Sequence, residues 1–509
     1  MKIKDFAFFK DAEIFGDMET EISGVEYDSR NVSKGDAFFA LPGHNTDGNK
    51  FIEEAVLRGA SVVIVKEKIE NLSTAQIAVK DIFKFMSVFC AKFYNYPDRE
   101  LTVIGVTGTN GKTTITYMIE SVFAYNGLKC GVVGTVNYRY GGKIYAAPNT
   151  TPQSADIYKM ARQMADLGIK YLVMEVSSHA LSLGRVFGID FDIAVFTNLT
   201  QDHLDFHKDM RNYFEAKALL FKNLGKGGKQ NKKYAIINAD DKYGIKLSQL
   251  GIDADIKFYS LEQTLDEGFS AKNIIASGGG NKFDAIYGGQ TQKADIKHIG
   301  LHNVYNALAA LGACVSAGVS FEKAVGGLNN AAQAPGRLER IDAKRLGFEI
   351  VVDYAHTEDA LKNAVSALRR LHPKRIITVF GCGGDRDRTK RPYMGKIAVE
   401  TSDFVFATSD NPRTEDPIQI LLDVEVGIKR TGKTNYKIEA DREAAIKEAV
   451  MMADKGDIIL IAGKGHENYQ IIGTQKFHFN DVEIAEKYAA LRENLRIAAN
   501  RSPQKEFDF

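Results

Sequence analysis

The sequence has few cysteines and no long apolar run, and these two absences narrow the class of protein. Its 509 residues include four cysteines, Cys90, Cys130, Cys314 and Cys382, with no CxxC spacing. Such scattered cysteines predict reduced, mostly buried thiols and exclude a disulfide framework or a cysteine zinc site. No apolar run approaches about eighteen residues, and the N-terminal segment lacks a signal-peptide cleavage pattern. We therefore expect a cytoplasmic protein without a transmembrane span.

The chain also lacks an excess of charge of either sign. It has 66 lysines and arginines against 65 aspartates and glutamates, for a formal net charge of +1. This balance gives no argument for a nucleic-acid partner or for an anionic membrane surface. A negatively charged substrate must therefore be held by local clusters of polar and basic residues.

The length predicts several domains, because one hydrophobic core rarely serves so long a chain. Proline-containing segments at 96–99 and 333–337 mark two predicted boundaries. They divide the chain into a first unit (1–98), a second unit (99–334) and a third unit (335–509). Strand and helix patterns alternate in each unit, which predicts the α/β class. We expect a central, mostly parallel sheet with helices on both faces, between an α/β N-terminal domain and a Rossmann-like C-terminal domain.

The second unit begins with the stretch LTVIGVTGTNGKTTITYMIE at 101–120. Its β-branched apolar start predicts a buried strand, and the apolar spacing after residue 114 predicts a helix. The loop between them suits an anion, because its amides and the helix N-terminus can face a nucleotide phosphate. Lys112 can neutralise the β- and γ-phosphates, and the Thr113 hydroxyl can hold Mg²⁺. A glycine-rich turn can be purely structural, but the strand–loop–helix context favours nucleotide binding.

Polar clusters follow two further strands of the second unit, at the sheet edge where ligands of open α/β sheets collect. Glu175 ends one predicted strand, and a carboxylate there can bind the Mg²⁺ of a nucleotide. His203 lies between Asp202 and Asp205 in a turn after the next strand. These three residues can instead be helix caps and a buried core histidine.

Four other features have a simple structural interpretation. The turn at 149–151 can be a helix N-cap, and Lys217 can be an ordinary solvated lysine. The basic segment 226–233 is most simply a solvated loop. The turn-rich segment 42–48 can be a purely structural turn between two elements, or it can contact a phosphate or a uridine.

Charged and polar residues also follow the predicted strands of the third unit. They form DYAH at 353–356, a charged glycine loop at 380–388, DNPR at 410–413 and GKGHE at 463–467. An arginine binds a carboxylate through two parallel hydrogen bonds, and a glutamate accepts an ammonium. This combination at successive strand ends predicts a site for an amino acid.

In this order, the motifs resemble those of the Mur ligases, the ATP-dependent amide-forming enzymes of peptidoglycan precursor synthesis. The resemblance spans essentially the whole chain. It includes GTNGKTT at 108–114, NTTP at 149–152, MEVSSH at 174–179, TNLTQDHLDFH at 197–207, YFEAKALLF at 213–221, NADD at 238–241, LHNVYNALAA at 301–310, PGRLE at 335–339 and the four motifs of the third unit. One departure follows DYAH, where the family has Thr-Pro and this chain has Thr357-Glu358. The change removes no expected ligand.

Within the family, DNPR is similar to the signature of members that add meso-2,6-diaminopimelate. This amino acid differs from lysine by one distal carboxylate, and Arg413 offers that carboxylate a forked cation. The resemblance implies an amino-acid site formed by Arg386, Asp410, Asn411, Pro412, Arg413, Gly463 and Glu467.

The resemblance also implies the residues that bind the other ligands. ATP would be bound by Gly108, Thr109, Asn110, Gly111, Lys112, Thr113, Thr114, Asn303, Arg337 and Asp353. Mg²⁺ would be held by Thr113, Glu175, His203 and a carbamylated Lys217, and catalysis would depend on Lys112, Glu175, His203 and Lys217. UDP-N-acetylmuramoyl-L-Ala-D-Glu would contact Tyr27, Ser29, His44, Asn45 and Thr46 through its UDP, and Asn149, Thr150, Thr151, Ser177 and Arg185 through its muramoyl-dipeptide.

The implied reaction forms an amide through an acyl phosphate. The D-glutamyl γ-carboxylate takes the γ-phosphate of ATP, the diaminopimelate amine attacks the activated carbonyl, and phosphate leaves. We expect a monomer with these small molecules as its partners. The alternatives are a family member that adds L-lysine or another diamino acid such as lanthionine, a folylpolyglutamate-synthase-like ligase, and a catalytically silent nucleotide-binding protein.

Overall fold

The computed structural model describes residues 1–7, 9, 11–43, 47–341 and 343–501. Three large β-sheets, each packed with helices, follow one another along the chain. This mixed architecture confirms the predicted α/β class. No helix within the described segments is long and apolar enough to cross a membrane.

The first sheet has five strands in the order β1-β5-β4-β3-β2, with β1 antiparallel to β5 and the other neighbours parallel. The strands are β1 (Ala12–Phe15), β2 (Gly24–Glu26), β3 (Asp36–Phe39), β4 (Val62–Val65) and β5 (Ala75–Val79), and the helices are α1 (Ile52–Leu57) and α2 (Ile82–Phe93). An aromatic cluster of Phe6, Phe39, Phe85 and Phe89 fills the core beneath α2. The rings of Phe6 and Phe89 stack with their centroids 3.7 Å apart.

The second sheet has eleven strands in the order β16-β15-β14-β13-β12-β11-β6-β10-β7-β8-β9. The strands are β6 (Thr102–Thr107), β7 (Cys130–Val133), β8 (Asn137–Tyr140), β9 (Lys143–Ala146), β10 (Tyr171–Glu175), β11 (Ile193–Phe196), β12 (Tyr234–Asn238), β13 (Asp255–Ser260), β14 (Phe269–Ser277), β15 (Gly280–Tyr287) and β16 (Gln290–Ile296). The helices are α3 (Lys112–Tyr125), α4 (Ser154–Asp166), α5 (Ser178–Ser182), α6 (Leu204–His207), α7 (Met210–Lys222), α8 (Lys242–Ser248), α9 (Leu301–Ser316) and α10 (Phe321–Leu328).

Strand β6 lies inside this sheet, parallel to β10 on one side and to β11 on the other. Its residues from Val103 onward are buried, as expected for a parallel strand covered on both faces. In register, Glu175 of β10 lies beside Val106, and Phe196 of β11 lies beside Thr107. The carboxyl ends of β6, β10 and β11 therefore meet at one edge of the sheet.

The third sheet has six strands in the order β17-β18-β22-β19-β20-β21, and a separate hairpin pairs β23 with β24. The strands are β17 (Glu339–Ile341), β18 (Glu349–Asp353), β19 (Ile376–Cys382), β20 (Phe404–Ser409), β21 (Tyr436–Ile438), β22 (Ile458–Ala462), β23 (Tyr469–Ile472) and β24 (Gln475–His478). The helices are α11 (Glu358–Arg369), α12 (Lys390–Thr401), α13 (Pro417–Lys429), α14 (Arg442–Met452) and α15 (Asp481–Arg501). Strands β18, β22, β19 and β20 are parallel, so their carboxyl ends also share an edge.

The basic segment 226–233 is not simply a solvated loop, and that expectation is wrong for two of its lysines. Lys233 Nζ lies 2.8 Å from Asp190 and 2.9 Å from Asp192, with all three side chains buried. Lys229 is also buried and donates to Asp192 and to the Leu101 carbonyl. Two carboxylates at the amino ends of the strands draw these ammoniums inward, because a buried acid requires a cation or several donors.

The prediction for the cysteines is confirmed. All four thiols are free, with Cys90, Cys314 and Cys382 buried and Cys130 half-buried. Burial raises the pKa of each thiol, so none is a thiolate at neutral pH.

Candidate active site

The phosphate loop, residues 108–111, joins β6 to α3 through two glycines in backbone conformations that other residues rarely adopt. Gly108 has a φ of 145° and Gly111 a φ of 93°. A Cβ at Gly108 would lie 1.8 Å from Thr197 Oγ1, and one at Gly111 would lie 2.4 Å from Asn306 Oδ1. The loop backbone therefore packs directly against the end of β11 and against α9, which requires glycine.

Two lysines converge on the carbonyl of Gly108. Lys112 Nζ donates to Gly108 O at 2.9 Å and to Thr109 O at 2.8 Å, and Lys217 Nζ of α7 donates to Gly108 O at 2.8 Å. Burial lowers the pKa of Lys112. Burial, reinforced by the nearby Lys112 cation, lowers the pKa of Lys217 well below its ordinary value. Two amines of weakened basicity thus lie at the start of the phosphate loop.

Lys217 is a buried amine rather than the solvated lysine considered from the sequence. The residue is 2% exposed, and its Nζ lies 4.6 Å from the ring centroid of Tyr213. Among the residues that the structure describes, no carboxylate oxygen comes within 4.0 Å of this nitrogen. An ammonium without a counter-ion at such a depth costs stability, so its retention points to chemistry rather than to packing.

Glu175, at the end of β10, is a buried carboxylate that only neutral groups contact. Thr113 Oγ1 lies 3.0 Å from both of its oxygens, and Thr135 donates through its amide at 2.8 Å and its hydroxyl at 2.9 Å. Arg337, from the start of the third unit, donates to the Thr113 hydroxyl at 3.2 Å. Glu175 itself forms no ion pair within the described segments. Its negative charge therefore remains available to a bound cation.

Asp202 links the second unit to the third. Its carboxylate lies 3.4 Å from His203, 3.8 Å from His356 and 4.0 Å from Lys390. Burial raises the pKa of Asp202, but these three groups outweigh it and the pKa falls to about 2. The His203 side chain is 41% exposed, so it is not the core histidine considered above. Desolvation lowers the pKa of His203, which keeps its imidazole neutral at pH 7.

A cavity of about 390 Å³ opens beside the phosphate loop, between the second unit and α11 of the third. Its lining includes the sequence-predicted residues Asn110, Gly111, Thr114, Asn303, Arg337 and Asp353. It also includes His298, His302, Tyr305, Asn306, Asp359 and Asn363, which the sequence analysis did not single out. The side chain of Asn110 donates to Asp359 at 3.0 Å and so bridges the two units.

Asparagines of α9 and an aspartate of β18 contribute polar groups to this cavity. Asn303 donates to Ile299 O at 2.8 Å, and Asn306 donates to Asn303 at 2.9 Å. The spacing of these asparagines places both on one helix face, a signal in the sequence that could have identified Asn306. Asp353 accepts from the amides of Leu338 and Ala355. Burial raises the pKa of Asp353.

The turn at 149–151 packs against the end of β10 and does not cap a helix. Thr151 Oγ1 donates to Glu175 O at 2.8 Å and accepts from the amide of Ser177 at 3.0 Å. Arg185 donates to Thr151 O at 3.0 Å, and the Thr150 hydroxyl lies 3.1 Å from that of Thr135. Helix α4 begins after Gln153 without a side-chain cap, so the N-cap interpretation is wrong. The Asn149 carbonyl accepts from the Tyr138 hydroxyl at 2.6 Å.

Two of the residues of the first unit expected to contact UDP form hydrogen bonds with other side chains. The Tyr27 hydroxyl donates to Asp156 of α4 at 2.7 Å, which joins the first unit to the second. The buried Ser29 hydroxyl donates to Glu54 at 2.7 Å. His44, Asn45 and Thr46 lie outside the described residues.

Residues of DNPR and GKGHE meet at the carboxyl ends of β20 and β22. Asn411 donates to Glu467 at 2.8 Å, and the buried Lys464 lies 3.2 Å from the same carboxylate. A Cβ at Gly463 would lie 2.7 Å from Asp410 Oδ2, so this close approach depends on glycine. Burial raises the pKa of Glu467, with the Asp410 carboxylate acting in the same direction. Lys464, which the sequence analysis missed, already supplies one ammonium to Glu467.

Two arginines flank Gly383 beside this cluster. A Cβ at Gly383 would lie 3.0 Å from Arg413 Nη1 and 3.8 Å from Arg386 Cγ. Arg413 Nη1 donates to Gly384 O at 2.7 Å, and Arg386 is exposed. Burial lowers the pKa of Arg413, and the positive charge of Arg386 adds to this effect. Two arginine side chains thus approach the same glycine at the edge of the third sheet, and their shared positive charge favours the binding of an anion.

Comparison with known protein families accounts for most of the chain. Residues 21–94 match the catalytic-domain model of the Mur ligase family. Residues 106–314 match the Mur ligase middle domain, and residues 336–465 match the Mur ligase glutamate ligase domain.

Two relatives and one solved structure agree with these matches. The chain is 44% identical to the UDP-N-acetylmuramoyl-L-alanyl-D-glutamate–2,6-diaminopimelate ligase 1 of Clostridium acetobutylicum, over 93% of this chain and 96% of the relative. It is also 44% identical to the UDP-N-acetylmuramoyl-L-alanyl-D-glutamate–2,6-diaminopimelate ligase of Fusobacterium nucleatum, over 92% of this chain and 94% of the relative. A solved structure of a 2,6-diaminopimelate ligase of this kind aligns with a TM-score of 0.65 at 34% identity, covering 97% of this chain and 99% of the other. With the phosphate loop, the strand-end clusters and these full-length similarities in agreement, the chain belongs to the Mur ligase family.

Proposed function

We propose that this chain is an ATP-dependent amide ligase that adds meso-2,6-diaminopimelate to UDP-N-acetylmuramoyl-L-Ala-D-Glu. The observation that carries the proposal is the pair of Arg386 and Arg413 beside Asn411 and Glu467. Two guanidiniums at one site suit a substrate with a distal carboxylate, which lysine lacks. The names of the relatives support the same pair of substrates.

ATP is proposed to place its triphosphate on the phosphate loop and its nucleoside in the adjoining cavity. The Lys112 amine lies at the loop, where it donates to two loop carbonyls. It can therefore donate to phosphate oxygens instead when ATP binds. Asn303, Arg337 and Asp353 line the cavity and offer donors and acceptors to a nucleoside. The Arg337 contact with Thr113 supports closure of the third unit over bound ATP.

The donor set at the end of β10 fits Mg²⁺. The Thr113 hydroxyl and the Glu175 carboxylate are oxygen donors of the kind that Mg²⁺ prefers, and Glu175 carries an unpaired charge. The neutral imidazole of His203 and a modified Lys217 complete the proposed set. In the described part of the chain, no group of three or more His, Cys, Asp or Glu side chains that could hold a metal occurs, and the proposed set also includes the Thr113 hydroxyl. When bound, Mg²⁺ neutralises phosphate charge and polarises the phosphoryl group.

We propose that CO₂ modifies Lys217. Its lowered pKa increases the fraction of neutral amine, and this amine attacks the carbon of CO₂, releases a proton and becomes a carbamate. The modification converts a potential cation into an anion, which would replace repulsion from Lys112 by attraction. The new oxygens can serve a second Mg²⁺, a role that an unmodified lysine cannot fill.

The proposed chemistry follows the order phosphorylation, then amide formation. The D-glutamyl γ-carboxylate attacks the γ-phosphorus of ATP, and ADP leaves with the bond electrons. The diaminopimelate amine then attacks the carbonyl of the acyl phosphate, and phosphate leaves from the tetrahedral intermediate. Lys112 and the amides of the phosphate loop stabilise charge on the transferred group.

The three units are proposed to divide the binding of substrates. Residues 1–98 would bind the UDP group, residues 99–334 ATP, and residues 335–509 the amino acid. Contacts between units support closure around the reacting groups, since Tyr27 bonds Asp156 and Asn110 bonds Asp359. Such closure would protect the acyl phosphate from water.

The direct test measures phosphate release by the purified protein with ATP, Mg²⁺ and UDP-N-acetylmuramoyl-L-Ala-D-Glu, with meso-diaminopimelate or L-lysine added separately. We expect turnover to favour diaminopimelate strongly. Arg413→Ala should lower kcat/KM for diaminopimelate by about a hundredfold or more, because it removes a charge-assisted contact to the distal carboxylate. A preference for lysine would overturn the substrate assignment, and substrate-independent binding of ATP without turnover would indicate a silent nucleotide-binding protein.

A further inference from the structure

Two loops of the third unit carry the arginines of the proposed amino-acid site, and they touch along their backbones. We name them the glycine loop (383–388) and the DNPR loop (410–415). Gly384 N donates to Asn411 O at 2.9 Å, and a Cβ at Gly384 would lie 1.8 Å from Pro412 O. Each loop also holds a residue other than glycine in the left-handed region, Asp385 with a φ of 52° and Arg413 with a φ of 53°. Such conformations persist only where surrounding contacts impose them.

Glu415, in the DNPR loop, contacts the glycine loop and α12. Its carboxylate accepts from the amide of Asp385 at 2.5 Å and from the exposed Arg388 at 2.9 Å, both in the glycine loop. It also accepts two hydrogen bonds from Arg391, at 2.8 and 3.0 Å. The pKa of Glu415 is held below its ordinary value, chiefly by the two hydrogen bonds from Arg391. One nearly buried side chain of the DNPR loop therefore fixes the backbone of the glycine loop.

Arg391 anchors this arrangement from α12. Its side chain is fully buried and donates to Asp423 of α13 at 2.8 Å and to Gly383 O at 3.3 Å. A second link between the loops is exposed, where Thr414 Oγ1 donates to Asp385 Oδ1 at 2.8 Å. Glu415 and Thr414 thus join the loops at a buried point and at a surface point, in addition to the Gly384–Asn411 backbone bond and the bond from Arg413 to Gly384 O.

The two arginines of the proposed site repel each other, and the loops that carry them must resist that repulsion in the absence of an anion. We propose that Glu415, anchored by Arg391, is a positioning residue that fixes the spacing of Arg386 and Arg413. That spacing in turn sets the preference for an amino acid with a second carboxylate. The inference rests on the proposed function, because it assumes that the two arginines receive this carboxylate.

The test replaces Glu415 by glutamine, which keeps its shape and removes its charge. In Glu415→Gln, one acceptor oxygen is replaced by an NH2 group that faces a donor of Arg391, and the charge is lost, so the contact between the two loops should weaken. We expect KM for meso-diaminopimelate to rise about tenfold, and the preference for it over L-lysine to fall by a similar factor. KM for ATP and for the UDP-linked substrate should stay within about twofold, because neither contacts these loops in the proposed site.

Asp457→Asn is the matched control. Asp457 is a buried carboxylate of the same unit that accepts from Arg375 at 2.6 and 3.1 Å, but it lies before β22 at the opposite end of the sheet. This variant should lower the melting temperature without changing KM for diaminopimelate. Thr414→Val removes the hydroxyl bonds to Asp385 and leaves the Thr414 amide bond and the Glu415 contacts, so we expect a smaller rise in KM, of about threefold.

Amide hydrogen exchange separates this inference from the proposed function, because it requires no turnover. Exchange in the glycine and DNPR loops should be faster in Glu415→Gln than in the wild type, and unchanged in Asp457→Asn. Unaltered exchange in Glu415→Gln, or an unaltered diaminopimelate KM with an active wild type, would overturn the positioning role. A wild type that does not use diaminopimelate would overturn the proposed function and the specificity role together, while the exchange result would still decide whether Glu415 fixes the loops.

Discussion

Two buried lysines at opposite ends of the second sheet differ in what surrounds the ammonium. Lys233 lies at the amino ends of the strands, where Asp190 and Asp192 both bind it. Lys217 lies at the carboxyl end, where it donates to the Gly108 carbonyl and has no carboxylate within 4.0 Å in the described structure. Removing one partner of a buried ion pair lowers stability strongly. A buried amine without a paired carboxylate lowers stability by itself, and such groups are found most often at functional sites. The contrast favours a structural role for Lys233 and supports the chemical role proposed for Lys217.

The largest expected effect is the loss of activity in Lys217→Met. We expect kcat to fall by about a hundredfold or more, because the variant cannot carry the anion proposed to assist Mg²⁺. The melting temperature should stay the same or rise, since the change removes a buried amine without a counter-ion. Phosphate-release kinetics and thermal melting measure the two quantities. Retained activity together with a lower melting temperature would make Lys217 a structural lysine like Lys233.

Lys233→Met should show the opposite pattern. We expect the free energy of unfolding to fall by about 3 kcal/mol, because two buried carboxylates lose a shared cation. At temperatures where the variant is folded, kcat should change by less than about twofold. Lys232→Met is the matched control, since this neighbouring lysine is 61% exposed and pairs with an exposed aspartate. Its effect on stability should be below about 0.5 kcal/mol by denaturant titration.

Removal of CO₂ should sharpen the comparison further. We expect the activity of the wild type to fall roughly severalfold in degassed buffer and to return with added bicarbonate, because loss of the ligand favours the unmodified lysine. The residual activity of Lys217→Met should not respond to either treatment. If bicarbonate changed the activity of the wild type and of Lys217→Met equally, it would act at a site other than Lys217.

The smallest expected effect is on the pH dependence of stability. Burial lowers the pKa of Lys217 below its ordinary value of 10.5, so between the lowered pKa and 10.5 the folded chain binds fewer protons than the unfolded chain. Its contribution to stability therefore increases as pH rises through this window. Lys217→Met should remove that increase in CO₂-free buffer, as measured by denaturant titration at several pH values. A slope identical to that of the wild type would mean that the amine is not titrating there.

Much of the second and third sheets could be predicted from local sequence. The largely apolar segments 193–196, 234–238 and 349–353 form β11, β12 and β18. Parallel strands covered on both faces are continuous apolar runs, so their bounds are visible in the sequence. The meeting of polar clusters at their carboxyl ends follows from the topology of such sheets.

The remaining features depend on contacts that are distant in sequence. Lys229 and Lys233 belong to a segment rich in glycine and lysine, and nothing local indicates that Asp190 and Asp192 bury them. The position of Asp359 beside Asn110 depends on how the third unit packs against the second, which no local pattern reports. The contacts of Glu415 could not be predicted for the same reason, because its partners lie in the glycine loop and in α12.

The hydrogen bond between Asn110 of the phosphate loop and Asp359 of α11 has a thermodynamic consequence. It makes the arrangement of the phosphate loop and the placement of the third unit parts of one equilibrium. A ligand of the third unit that favours this contact also favours the loop arrangement in which the contact forms. A ligand of the phosphate loop then changes the affinity of the third unit for its ligand by the same factor. The proposed nucleotide and amino-acid sites are therefore linked through the contacts between the two units, of which the pair of Asn110 and Asp359 is one.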